Sequence, residues 1–178
     1  MEGGGSPGRQ IVSFGSEGRT FNFRAAAVIV HDGQVLLHRA DYEDFWSMPG
    51  GRVEMLEESR EALRREMLEE LGEEVEVGRL VWVGENFFEF QESDFHEMGM
   101  YFEVSLPVGS ALVGRTEEWW AEEDNAVRIC FRWFELEDVP GLPVVPGFLR
   151  EGLGALPEGT EHVVYRDPMR WGAAEGSS

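Results

Sequence analysis

The chain has 178 residues, 42% of them apolar or aromatic, and carries 35 acidic against 15 basic residues for a formal net charge of −20. A single domain with one sizeable core is the expectation at this length, and no run of about 18 uncharged apolar residues is present to cross a bilayer. A surface this acidic repels phosphodiester backbones and lacks the basic stripe that DNA or RNA duplex binding requires.

All 15 basic residues are Arg, which excludes chemistry that depends on a lysine nucleophile. Cys130 is the sole cysteine, so no intrachain disulfide can form, and the Gly-rich, acid-containing start lacks a signal-peptide pattern. A cytoplasmic protein is expected. Residues 1–9, with Gly3-Gly4-Gly5-Ser6-Pro7-Gly8, and residues 173–178 read as flexible tails around a single domain over 10–172.

Within that domain, residues 22–30 and 35–37 flank the turn pair Asp32-Gly33 and read as strand, hairpin turn and strand. Phe45-Trp46-Ser47-Met48 runs into Pro49-Gly50-Gly51, a breaker cluster that turns the chain sharply. Residues 58–71 then have helix-forming composition, and Gly72 supplies a stop signal. Residues 80–90 and 98–106 look like a second antiparallel pair with Gln91-Glu92-Ser93-Asp94 between them. The Gly- and Glu-rich stretch 108–126, with Trp119-Trp120 in it, reads as a long loop of the kind that often carries function. Residues 127–136 read as a strand, 143–153 as a short helix opened by prolines, and 161–165 as a last short strand. The mixture predicts an α/β or α+β fold around one sheet.

On the predicted helix, Glu66, Glu69 and Glu70 fall at i, i+3 and i+4, so three carboxylates share one face, while Leu63, Met67 and Leu71 form the neighbouring apolar stripe. Like charges at this spacing repel unless something cationic sits between them. A hard divalent cation with oxygen ligands, Mg²⁺ or Mn²⁺, fits that role, and such ions also bridge phosphate oxygens. The pattern points to a substrate bearing a diphosphate.

Gly51, Glu57, Arg65, Glu66, Met67, Glu69, Glu70 and Gly72 stand in the register of the Nudix box, G-x5-E-x7-R-E-U-x-E-E-x-G-U with U a bulky aliphatic, and the segment over 51–73 resembles that motif. Glu73 departs from the final U. The approach Phe-Trp-x-x-Pro-Gly-Gly is also similar to many members of the Nudix hydrolase family. The resemblance implies a Nudix-type α/β/α sandwich with a mixed central sheet. It also implies an enzyme that cleaves a diphosphate linkage in nucleoside diphosphate-X or related nucleotide substrates, by water attack on phosphorus. Mg²⁺ is the implied cofactor, with Mn²⁺ as a substitute. By position, Glu66 and Glu70 would be the principal metal ligands, Glu69 a further ligand or the base for water, and the Gly51 carbonyl an extra ligand. Arg65 would hold Glu57 and the helix carboxylates in place. A later-loop Glu sometimes serves as base in the family. Glu117, Glu118, Glu122 and Glu123 are candidates here, with Glu118 preferred, although solvated surface acids are the simpler reading of each. Resembling proteins commonly form homodimers.

Arg24, Arg39 and Arg52 flank the box and are expected to converge on phosphate or ribose, against the plainer reading of surface ion pairs. Phe45, Trp46, Phe87 and Phe88 are candidates for stacking a nucleobase, with core packing the favoured reading. His38 and His96 lack the paired spacing of a zinc site, and Cys130 in an apolar strand reads as a buried small hydrophobe. Two competitors remain. An isopentenyl-diphosphate isomerase would need a Cys upstream of the helix, and Cys130 lies far downstream. A non-catalytic nucleotide sensor on the same scaffold would usually have lost helix carboxylates, and all are present.

Overall fold

The structure is a computed structural model that describes residues 9–122 and 127–168. Two sheets form the frame. The larger has strands in the order β1 (Ser13–Ser16), β2 (Arg19–Val28), β7 (Ser93–Ser105), β6 (Glu76–Phe90) and β10 (Glu161–Arg166), with β5 (Gly50–Arg52) also paired to β2. It is mixed, because β2 runs parallel to β7 and β10 parallel to β6 while the other pairs are antiparallel. The smaller is antiparallel, in the order β3 (Val30–His31), β4 (Gln34–Ala40), β9 (Arg128–Glu135) and β8 (Trp119–Glu122). The mixed central sheet expected from the sequence is present.

The first hairpin forms where the sequence places it, with Asp32 at φ 46° and Gly33 at φ 81°, the left-handed pair that a two-residue turn needs. The strands expected to flank it, β2 and β4, do not belong to one sheet, however. The chain leaves β2 at Ile29 and enters the smaller sheet, so the hairpin is made by β3 and β4 and ties the two sheets together. The second hairpin is tighter than expected. Gln91 and Glu92, at φ 49° and 64°, are the whole turn, and Ser93 and Asp94 already pair in β7.

The stretch expected as one long loop holds a strand at 119–122. There Trp119 and Ala121 pack on the core, Trp119 stacked on Phe131 at 5.7 Å, while Trp120 and Glu122 alternate outward, so period-2 burial overrides the Gly- and Glu-rich flanks. The expected helix over 143–153 shrinks to one helical turn, α2 (Leu149–Gly152), and a 3₁₀ turn at Val139–Gly141 precedes that range. Pro140, Pro143 and Pro146 each remove a backbone donor and prevent a longer run. Of the expected tails, residues 1–8 and 173–178 lie outside the described residues, as do residues 169–172 of the expected domain. Arg9 is described and is tied down, with salt bridges to Glu54 and Glu69.

Helix α1 (Ser59–Leu71) matches the expected helix to within one residue. Gly72 ends it in the left-handed conformation at φ 70°, donating its N–H to the Leu68 carbonyl. Glu73, the departure from the motif, accepts a hydrogen bond from Ser110 Oγ at 2.6 Å, so a polar contact replaces the usual apolar one. The inward face of α1 buries Ala62, Leu63 and Met67 against Ala25, Ala27, Leu36, Phe102 and Phe131. A second core on the opposite face of the large sheet joins Ala26, Val28, Leu37, Trp46, Tyr101, Leu149 and Leu153. Each fully buried Leu or Phe in these two cores contributes about 1.5–3 kcal/mol. Among the described residues no helix is long and apolar enough to cross a membrane.

Candidate active site

The outer face of α1, strand β5 and the end of β4 enclose a cavity of about 750 Å³. Glu66, Glu69 and Glu70 all line it, as do Gly51, Arg24, Arg52, Arg65, Arg9, His38 and Glu54. The helix phase read from the sequence therefore delivers the three carboxylates to one place.

Arg65 organises the rim. Its Nε donates to Glu57 Oε1 at 2.8 Å and its Nη2 to Glu57 Oε2 at 2.9 Å, while Nη1 reaches Glu66 Oε1 at 2.6 Å and Glu69 Oε2 at 3.5 Å. Nη2 also donates to the Arg52 carbonyl at 3.3 Å, which fixes the guanidinium against β5. Glu57 is held in turn by the Glu54 N–H at 2.9 Å. The Arg65 hydrogen bonds hold the Glu57 carboxyl below its ordinary range.

The three helix carboxylates sit in different surroundings. Burial pushes Glu66 up, with Arg65 pulling against it. Glu69 is the most exposed of them and is lowered, first by its hydrogen bond from Arg9. Glu70 is buried, its side chain only 2% exposed, with Oε2 3.6 Å from His38 Nδ1. A cation of the protein therefore faces each of Glu66 and Glu69, and an imidazole faces Glu70. As placed, no three His, Cys, Asp or Glu side chains among the described residues stand together as a ligand set for one ion.

The donor set nonetheless fits a hard divalent cation: three carboxylates within one helical turn, oxygen only, opening on one cavity. Gly51 belongs to that fit. A Cβ there would lie 2.3 Å from the Glu66 carboxyl carbon, so only glycine lets β5 pass this close to the carboxylate. Gly50 has a different reason, since its φ is 139° and a Cβ would meet the Ala25 carbonyl oxygen at 2.2 Å.

Two of the three flanking arginines reach the cavity. Arg24 and Arg52 are direct cross-strand partners on β2 and β5. Like charges opposite one another are unfavourable without an anion between or beside them, and the pair is suited to phosphate oxygens. Arg24 is further placed by a bond from Nη2 to the Met48 carbonyl at 3.0 Å and by His38 Nε2 at 3.3 Å. Arg39 does not converge with them. Strand alternation sends His38 and Ala40 toward the cavity and Arg39 to the opposite face, where it lies over the Trp46 ring at 4.9 Å and donates to the Glu43 carbonyl.

Glu118 also lies away from the cavity. Its carboxylate pairs with Arg132 at 3.3 Å and contacts Cys130 Sγ at 3.5 Å. Of the later-loop acids Glu122 is the one that lines the cavity, and Glu123 lies outside the described residues. Among the aromatics, Trp46 is core, Phe87 faces away beside His96, Phe88 stacks on Phe95, and Phe45 packs edge-on against Phe90, which lines the cavity. Sequence reasoning missed Arg9, His38 and Glu54. The period-2 pattern of Leu36, His38 and Ala40 carried the signal for His38; Arg9 carried none, being next to a Gly-rich run.

The sequence profile of the NUDIX domain matches residues 21–151. The chain is 45% identical to the CTP pyrophosphohydrolase of Escherichia coli (strain K12) over 60 residues, 32% of this chain and 44% of that protein. It is 32% identical to diphosphoinositol polyphosphate phosphohydrolase 2 of Rattus norvegicus over 113 residues, 58% and 60% of the two chains. The chain thus spans about half the length of these relatives. Among solved structures, it resembles an ADP-ribose pyrophosphatase from Streptococcus suis with a TM-score of 0.53 at 18% identity, covering 80% of this chain and 98% of that one. A NUDIX hydrolase from Nitrosomonas europaea gives 0.54 at 17% identity, with 82% and 79% covered. These likenesses concern the fold. With a profile match over well over half its length, and with Gly51, Arg65, Glu66, Glu69 and Glu70 of the box on one cavity, the chain belongs to the Nudix family.

Proposed function

We propose that this protein is a Mg²⁺-dependent hydrolase, with Mn²⁺ able to substitute, that cleaves the diphosphate linkage of a nucleoside diphosphate-X or related nucleotide. The observation that carries this reading is the meeting of Glu66, Glu69 and Glu70 with the Arg24 and Arg52 pair on one cavity. Glu66 and Glu70 would hold the metal, with Glu69 and the Gly51 carbonyl completing the protein's share. When bound, the ion offsets charge on the phosphoryl oxygens and makes water a better nucleophile near neutral pH.

The chain's own residues do the rest. Arg24 and Arg52 take the phosphate oxygens and orient phosphorus for attack. Arg65, gripped by Glu57, holds Glu66 in place. Glu69, the most exposed helix carboxylate, accepts the proton of the attacking water once Arg9 has released it, with Glu122, the later-loop acid on the cavity, as the alternative.

The named relatives share a diphosphate bond and differ in what carries it, a nucleotide in one and an inositol polyphosphate in the other. A nucleotide suits this chain better. Of the four arginines on the cavity, Arg9 and Arg65 are already engaged by carboxylates, which leaves two for a substrate's phosphates, and Phe90 adds an aromatic wall. The partner is then a small nucleotide rather than a nucleic-acid duplex, and a cytoplasmic setting is part of the same reading. The homodimer implied by the family resemblance is checked by sedimentation of the same preparation.

The test is hydrolysis of a panel of nucleoside triphosphates, diphosphates, sugar nucleotides and dinucleotides with Mg²⁺, with Mn²⁺ and with EDTA, the products resolved chromatographically. Metal-dependent release of a nucleoside monophosphate is expected. Nucleotide binding without cleavage in either metal would replace this reading with that of a non-catalytic nucleotide-binding module.

A further inference from the structure

Arg24 and Phe90 both line the candidate active cavity, and a strip of the large sheet beside its lining separates them. In register, Arg24 stands beside Gly99, and Gly99 beside Gly84. The next row on the same face is Asn22, Glu97 and Asn86. After it come Thr20, Phe95 and Phe88, and then Phe90 opposite Ser93. The middle row is thus one strand repeat, about 7 Å, from Arg24.

That row is polar where a sheet floor is ordinarily apolar. Asn22 and Asn86 are 4% and 6% exposed, while Glu97 keeps part of its surface. Asn22 Oδ1 accepts from Ser13 Oγ at 2.6 Å. Asn86 hydrogen-bonds the Glu97 carboxylate, yet its own Oδ1 is buried with no hydrogen-bond partner among the described residues. A buried acceptor left in that state costs about 1–3 kcal/mol, and such groups in native proteins call for a missing partner. Burial pushes the Glu97 carboxyl up, opposed first by the Arg24 guanidinium and then by the Asn86 amide.

The surroundings suit a planar ring. Phe88 and Phe95 stack at 5.0 Å one row further on, and beyond them Phe90 meets Phe45 edge-on at 6.2 Å. On the Arg24 side the Tyr101 ring fills the space over the two glycines, coming within 3.2 Å of where a Cβ of either would be, with Phe148 also near Gly84.

We propose that Asn86 and Glu97 read the base of the bound nucleotide, selecting bases with an exocyclic amino group (cytosine, adenine, guanine) over uracil and thymine. The inference rests on the nucleotide reading given under Proposed function. Asn86 Oδ1 and the Glu97 carboxylate are adjacent acceptors, and an amino group offers two N–H donors to them. A base with a carbonyl at that position would set acceptor against acceptor and leave Asn86 Oδ1 unpaired. Glu97 and Asn86 are therefore specificity residues, away from the reacting phosphorus.

Calorimetric titration of the full chain with CMP and with UMP tests this without requiring turnover, and kcat and KM for CTP and UTP are measured beside it. CMP is expected to bind at least about tenfold more tightly than UMP. Glu97→Gln, which keeps the side chain's shape, should abolish that preference by weakening CMP alone, with UMP affinity and the thermal midpoint retained and the KM for CTP rising while kcat holds. Asn86→Ser should act in the same direction by removing the orphaned acceptor. Equal affinity for CMP and UMP, or a preference that survives Glu97→Gln in a folded variant, overturns the inference even if both triphosphates are cleaved. A CMP preference with no cleavage of any nucleotide would support it and defeat the hydrolase reading instead. Failure of both monophosphates to bind overturns it.

Discussion

Arg65 and Glu57 lie eight residues apart and meet as a two-pronged pair, Nε to Oε1 at 2.8 Å and Nη2 to Oε2 at 2.9 Å. The pair pins the loop before α1 to the helix itself and leaves the remaining Arg65 nitrogen for Glu66 at 2.6 Å. One guanidinium thereby fixes both the approach to the helix and the first of its carboxylates.

Arg65→Lys keeps the charge and loses the fork. A lysine ammonium cannot grip both Glu57 oxygens and still reach Glu66. We expect a stability loss of about 1–3 kcal/mol in urea denaturation and a fall of roughly 10–100-fold in metal affinity or turnover. Unchanged metal affinity would show that the pair is structural only.

The acid limb of stability should carry the mark of Glu57. Its folded carboxyl titrates below the ordinary 4.5 because Arg65 hydrogen-bonds the charged form. An acid with a lowered folded pKa contributes stability that is complete above the unfolded value and is lost as pH falls through the folded one. The gap in thermal midpoint between wild type and Glu57→Gln is therefore expected to be full above about pH 5 and to close as pH drops below 4. The opposite shift of Glu66 is present in both proteins and largely cancels in the difference. A gap that widens in acid would contradict the assignment.

Gly50 and Gly51 are adjacent and should fail differently. A methyl at Gly51 displaces only the Glu66 carboxylate, whereas one at Gly50 strikes the Ala25 backbone and is strained by φ 139°. Gly51→Ala should fold with metal affinity reduced roughly 10–100-fold. Gly50→Ala should lose more than about 1–3 kcal/mol of stability. Calorimetric melting of both variants, with and without Mg²⁺, separates the two effects.

Helix α1 and its carboxylates were legible in the sequence because a helix is local: i, i+3, i+4 spacing and a terminal Gly72 need no tertiary knowledge. The hairpin turns were legible at Asp32-Gly33 for the same reason. The failures involve partners distant in sequence. That β2 and β4 enter different sheets depends on which strands arrive later, and nothing near Ile29 announces it. Closeness to the box groups Arg39 with Arg24 and Arg52, whereas strand alternation within Leu36, His38 and Ala40 sends it to the other face. Glu118 stands just before the strand at 119–122, and its carboxylate pairs with Arg132 of β9, a partner 14 residues on that no local pattern announces. Arg9 reaches Glu69 across 60 residues, beyond any local pattern.

Cys130 offers a check on the far side of the smaller sheet. It is fully buried, and desolvation first, then the Glu118 charge, raises its thiol to about 11. A thiol in that state reacts poorly, since the thiolate is the nucleophile. In native protein at pH 8, labelling by a thiol reagent should be at least about tenfold slower than in urea-unfolded chain, where the thiol returns to its ordinary range. Rapid labelling of the native state would contradict the packing of β8 on β9.

If the helix carboxylates hold a divalent metal for diphosphate cleavage, Glu70→Gln measured against wild type over a Mg²⁺ titration will reveal it. Glu70 is buried beside His38, so the neutral isostere should keep the fold and thermal midpoint while turnover falls by orders of magnitude, about 10²–10⁴-fold at limiting Mg²⁺. Wild-type hydrolysis should vanish in EDTA and return with Mg²⁺ or Mn²⁺. A folded Glu70→Gln that matches wild type at limiting Mg²⁺, or wild-type hydrolysis that persists in EDTA, would contradict the account.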